Sequence, residues 1–217
     1  MSQPVYRRRN AAGYGFEQCA AAIREPKAAS DVKIRDVSTD VGRVCTAEPQ
    51  RRLLTEKKLD ALKANGESYT LESFTIEDAI ELGHLLQARL LPLSKEKPTL
   101  VSISLANSNQ VVFQTAVGSG VAPDNETWVA RKRNSVMRWN TATWFLSCKF
   151  GQDEALFASK FGMSTEQAGK YAIHGGGVPI RVRGVEGIVG VVIVSGLKQD
   201  QDHGVIMDVI EENWERV

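Results

Sequence analysis

Val101-Ser102-Ile103-Ser104-Leu105-Ala106-Asn107-Ser108-Asn109-Gln110-Val111-Val112-Phe113-Gln114-Thr115-Ala116-Val117 decides the fold class. Side chains alternate across a strand, so Val101, Ile103 and Leu105 share one face and Ser102 and Ser104 the other. Asn107 to Gln110 supplies turn residues, and Val111 to Val117 returns as an antiparallel partner. Upstream, Thr75 and Asp78 have capping-box spacing ahead of Ile76, Ala79, Ile80, Gly83 and Leu90, a helical stripe that Pro92 ends. Further upstream, a helix is expected from Pro49 to Lys63, stopped by Asn65-Gly66. Downstream, a long helix is expected from Asp124 to about Cys148, then two shorter helical stretches up to Tyr171. Pro179 to Val182 reads as a strand. Ile188 to Val194 is an almost unbroken apolar run, as expected of a central strand covered on both faces. A last helix starts near Asp202, with Ile206, Val209, Ile210 and Trp214 as its buried side.

Strands and helices do not alternate in this order. It predicts an α/β fold of the α+β kind: a mainly antiparallel sheet of about five strands with helices on both faces, not a doubly wound dinucleotide fold. Residues 49–217 form the expected domain, and residues 1–48 an N-terminal extension, partly disordered, basic at Arg7, Arg8 and Arg9. The chain has 217 residues, 42% apolar and 24% charged, which is enough to build a core unaided. A formal charge of +1 gives no basis for nucleic-acid binding. No apolar run reaches the roughly 20 residues of a membrane span, and no secretory apolar region opens the chain. Cys19, Cys45 and Cys148 are an odd set without metal-ligand spacing, which predicts free thiols, a reducing compartment and a cytoplasmic protein.

Three stretches stand out chemically. Val129, Lys132, Val136, Trp139, Thr143 and Leu146 make one apolar stripe with a lysine inside it. Lys132 therefore either snorkels to water or lines a cavity that accepts an anion, with Arg131 and Ser135 beside it and Trp128 one turn before. His174-Gly175-Gly176-Gly177 precedes a strand. It is either a plain tight connection or a nest of N–H groups facing an anion, and it lacks the form of a phosphate loop. Ser195-Gly196-Leu197 leads to Asp202-His203, where His203 faces inward at a helix start. Its ring is either a satisfied core histidine or a neutral ligand or base. No metal-spaced cluster or nucleophile elbow is present, so an enzymatic reading has no constellation to rest on.

Taken together, Asp124 to Asn134, His174 to Ile180, and Gly190 to Leu197 with Asp202-His203 resemble the haem-degrading family of HbpS-like and GlcG-like domains, related to the C-terminal domain of PduO-type proteins. The likeness runs from about Leu71 to Trp214, and it departs at Asp202-His203, where haem-binding relatives more often carry two acids. It implies a profilin-like fold, a homo-oligomer and a pocket near subunit contacts that holds haem or another anionic small molecule. Fungal members imply a different role, as non-enzymatic adaptors working with targeting factors for tail-anchored membrane proteins. Trp128, Trp139, Trp144 and Phe145, crowded on one helix, are a second reason to expect subunit contacts. The residues expected to converge on one ligand site are Arg131, Lys132, Ser135, His174, Gly175, Gly176, Gly177, Ser195 and His203. On this reading Lys132→Met removes ligand affinity and leaves stability intact or improved, because a buried cation without a partner costs free energy.

Overall fold

A computed structural model describes residues 4–9, 15–31, 56–65 and 68–217. The strands are β1 (Val5–Arg8), β2 (Tyr69–Leu71), β3 (Thr99–Leu105), β4 (Val111–Val117), β5 (Gly177–Val182), β6 (Gly190–Ser195) and β7 (Trp214–Arg216). The helices are α1 (Phe16–Arg24), α2 (Glu56–Asn65), α3 (Ile76–Leu90), α4 (Pro123–Trp139), α5 (Thr143–Lys149), α6 (Glu154–Lys160), α7 (Thr165–Ala168) and α8 (Gln199–Asn213). The expected start of the first of the predicted helices, near Pro49, lies outside the described residues.

The hairpin forms as its alternation requires, with Val101 opposite Thr115 and Ile103 opposite Phe113. Thr75 caps α3: its Oγ1 accepts from Asp78 N–H at 3.2 Å, while Asp78 Oδ2 accepts from Thr75 N–H at 2.8 Å. The long helix is shorter than predicted. Asn140 takes a left-handed φ of 52° and its N–H closes on Val136 O, so α4 stops at Trp139 and the chain restarts as α5. Asparagine tolerates that conformation, and a stripe of apolar side chains could not reveal the break.

The sheet order is β4-β3-β6-β5-β2-β1-β7, seven strands instead of about five. It is also mixed, since β2 runs parallel to both β5 and β1. The strands that sequence reading missed, β1, β2 and β7, are only three or four residues long. That is too short for period-2 alternation, and Arg7 and Arg8 disguise β1 as a basic extension. Trp214, expected on the last helix, opens β7 and is buried there.

Alternation on β3 and β6 divides the core. Val101, Ile103, Val192 and Val194 pack with α3 and α8 on one face. Leu100, Val191 and Ile193 pack with Val129 and Val136 of α4 on the other. Both faces of β6 are therefore apolar, which accounts for its unbroken run.

Parts of the first 48 residues are bound to this frame. Tyr6 is buried edge-on against Tyr69, with ring centroids 5.0 Å apart. Arg8 reaches Asp78 at 3.2 Å and Glu81 at 3.1 Å. Phe16 of α1 stacks on His84 of α3. Arg89 donates to Lys27 O and Ala28 O. Of the three thiols expected to be free, Cys19 is free and Cys148 is disulfide-bonded; Cys45 lies outside the described residues. The argument from thiols to a reducing compartment lapses with that disulfide.

Half of the aromatic crowding expected to mark subunit contacts is absorbed within the chain, while Trp128 and Phe145 stay partly exposed. Trp139 packs among Phe157, Phe161 and Tyr171, and Trp144 is fully buried. Among the described residues no helix is long and apolar enough to cross a membrane, and no group of His, Cys, Asp and Glu could hold a metal.

Candidate functional site

Lys132 faces the sheet from α4 and is 2% exposed. It neither snorkels nor stands open. Its Nζ donates to Val194 O at 2.9 Å and to Asp202 Oδ2 at 2.9 Å. Asp202, on the first turn of α8, is equally buried. Its Oδ1 accepts from Leu197 N–H at 2.9 Å and its Oδ2 from Gly196 N–H at 3.4 Å. An ammonium and two backbone N–H groups thus cradle one carboxylate, and that carboxylate belongs to the chain itself. Burial pushes the Asp202 carboxyl up from its ordinary range, with Lys132 and the two amides opposing the shift.

The glycine run exists to let this pair form. Gly176 has φ of 105°, and a Cβ there would sit 2.8 Å from Lys132 Nζ, 2.7 Å from Asp202 Cβ and 2.3 Å from Val194 O. Neighbouring amides are committed internally: Gly175 N–H to Gln199 Oε1 at 3.3 Å, and Gly177 N–H to Thr143 Oγ1 at 2.9 Å. The loop serves close approach here, instead of presenting an anion nest.

Above the pair lies a cavity of about 330 Å³. The first turns of α4 supply Asp124, Asn125, Trp128 and Lys132 to its wall, and the glycine loop supplies His174. The end of β6 and the start of α8 supply Ser195, Gly196, Leu197, Gln199 and Asp202. Asn125 ties helix to strand, donating from Nδ2 to Ser195 O at 3.2 Å. His174 is part exposed, sets its ring against Trp128 with centroids 4.9 Å apart, and turns Nδ1 towards Glu154 at 3.4 Å. The hydrogen bond with His174, helped by Arg131, holds the Glu154 carboxyl below its ordinary range.

Of the nine residues expected at one site, Lys132, His174 and Ser195 meet on this wall. Arg131 lies behind it: its guanidinium covers the Trp128 ring at 4.5 Å, pairs with Glu154 at 3.2 Å and donates to Tyr171 O. Ser135 bridges backbone, donating to Arg131 O and accepting from Ala172 N–H. Gly175, Gly176 and Gly177 pack beneath. His203 is buried beside Trp144, 6.2 Å between rings, and is not part of the wall.

Sequence reading took Asp124 only as the cap of the long helix, whose N-cap is Ala122, gave Asn125 and Gln199 no role, and missed what Asp202 pairs with. A signal for the last was available: Asp202 stands four, seven and eight residues before Ile206, Val209 and Ile210, a carboxylate on an apolar stripe. A lysine and an aspartate on two such stripes are each costly alone, so each called for the other.

Residues 74–211 match the family described as haem degrading protein HbpS-like. A UPF0303 protein of Streptomyces avermitilis is 34% identical over 151 residues, covering 70% of this chain and 87% of the relative. The UPF0303 protein YBR137W of Saccharomyces cerevisiae is 32% identical over 152 residues, covering 69% of this chain and 82% of its own. The crystal structure of the Ybr137w protein superposes with a TM-score of 0.62 at 28% identity, covering 73% of this chain and 87% of that one. The match spans most of the sheet, α4 with Lys132, the glycine loop and the start of α8 with Asp202, so the elements that build the cavity are those the relatives share. This chain belongs to the HbpS-like haem-degrading protein family.

Proposed function

We propose that this protein binds a small molecule in the cavity over the Lys132–Asp202 pair. The carrying observation is the pair itself. Two fully buried opposite charges are often no more stabilising than apolar residues of the same volume, so a pair placed at the floor of an open cavity supports a binding role. The wall adds a carboxylate, an imidazole, a hydroxyl and an indole, groups that orient a ligand.

Haem fits these walls poorly. Its carboxylates need a free cation, whereas Lys132 is held by Asp202, and Asp124 adds a further negative charge. Hemin titration is expected to give no sharp visible band at one equivalent. A fragment screen read by amide and indole NMR shifts tests the broader reading. Hits should move the Trp128 indole and the Gly196 and Leu197 N–H signals, and hits confined to other surfaces would refute it.

A second reading, an oligomeric adaptor, is favoured by one observation. β4 is an edge strand of seven residues without a charge or proline, and Val111 on it is exposed. Such an edge invites pairing with another chain. Sedimentation should show an oligomer that Val111→Lys with Thr115→Lys dissociates; a monomeric wild type excludes it. Both readings take the seven-stranded sheet with its helices, β1 included, as the working domain, profilin-like in arrangement and cytosolic.

A further inference from the structure

The small-molecule reading leaves the ligand's chemistry open, and the charges around the cavity narrow it. The sequence pointed to an anion because a lysine lies on an inward-facing stripe. The structure has already placed an anion there. Lys132 gives two of its three N–H donors to Val194 O and Asp202, both at 2.9 Å. The two amides that would complete an anion site, Gly196 and Leu197, are also turned to Asp202. An incoming carboxylate would have to displace a buried one.

The helix starts at the cavity do not restore the balance. The N-termini of α4 and α8 each present a partial positive charge of about half a unit. Against them stand Asp124 and Glu126 in the first turn of α4, and Asp200 and Asp202 in that of α8. Glu126 is engaged by Gln114 at 2.9 Å. Arg131 and Glu154 neutralise one another at the rim, and Lys198, at the N-cap of α8, is not part of the wall. The charge left facing the cavity is the exposed carboxylate of Asp124, which has no partner among the described residues.

Beside it the wall is aromatic and apolar. Trp128 already draws a cation to its ring, the Arg131 guanidinium at 4.5 Å, and Leu197 supplies an aliphatic contact. A carboxylate next to an indole is the usual chemistry for holding an organic ammonium. At about 30 Å³ per heavy atom, the share of a water in the liquid, the cavity takes roughly ten heavy atoms. We propose that the cavity selects a small organic cation, an ammonium on a compact apolar body, with Asp124 as its counter-ion, and that it rejects carboxylates. This rests on the small-molecule reading above.

Benzylamine, benzyl alcohol and benzoate share a ring and differ in head group, so together they separate charge from shape. Each is titrated into the full chain at neutral pH, read by the Trp128 indole and Leu197 N–H signals. The cation should bind about tenfold more tightly than the alcohol, with benzoate weakest. Asp124→Asn should abolish the cation's advantage and leave the alcohol's affinity unchanged. Asp202→Gly, which frees Lys132, should bring benzoate binding up. Benzoate or the alcohol equalling the cation in the wild type overturns the proposal while leaving a ligand cavity in place. Silence from all three probes overturns both.

Discussion

Lys132 shows what a single residue can and cannot disclose. On the sequence it is a cation without a stated partner, and removing it looks harmless. In the structure its removal strands Asp202, buried and still accepting from two amides. Lys132→Met should therefore cost about 3–5 kcal/mol in urea unfolding, reversing the expectation drawn from sequence. Adding Asp202→Asn should recover most of that loss, because the side-chain oxygen can still accept from Leu197 N–H while the charge is gone. A Lys132→Met protein as stable as wild type would show that the pair contributes nothing. Gly176 is the second test at this scale. Gly176→Ala meets both a positive φ and a carbonyl 2.3 Å from the new Cβ, so a loss above about 3 kcal/mol is expected in the same assay.

At the scale of elements, α3 is both capped and clasped. Its cap is local: Thr75→Ala removes an acceptor from the Asp78 amide and should cost about 1 kcal/mol, read as a shift in denaturation midpoint. Its clasp reaches across to β1, where Arg8 bridges Asp78 and Glu81. Burial pushes the Glu81 carboxyl up from its ordinary 4.5, with Arg8 opposing and Asp78 adding to the rise. The folded state thus holds this proton more tightly than the unfolded chain. Its stabilising contribution is complete below the unfolded value and is lost as pH rises through the raised folded one. Glu81→Gln should accordingly gain stability relative to wild type as pH rises above about 4.5, in unfolding curves taken on either side of that value. A stability difference that stays flat with pH would refute it. The cap was legible because its partners are three residues apart. The clasp was not, because Arg8 and Glu81 meet only once β1 has joined the sheet.

For the whole molecule, β1 is the strand between β2 and β7, so its loss breaks the sheet at one end. Deleting residues 1–9 removes the buried Tyr6 from its contact with Tyr69, removes the Arg8 clasp and leaves β7 without its neighbour. We expect a loss of at least about 4 kcal/mol and a lower melting temperature, larger than for Arg8→Met alone. A truncated protein that melts with the wild type would mean that these residues merely cover the sheet.

The sequence by itself determined what depends on near neighbours: the β3–β4 hairpin, the capped α3, the buried run of β6 and the apolar stripes of α4 and α8. Period, caps and turn residues are local signals and survive without tertiary context. It also exposed Lys132, since a charge on an apolar stripe is an anomaly wherever the stripe goes. Only the tertiary structure decided that Asp202 answers Lys132, that Gly176 is the space their meeting requires, and that strands of three or four residues extend the sheet to seven. Those outcomes join positions 26 to more than 200 residues apart, and no periodicity along a chain encodes which of its distant faces will close on one another.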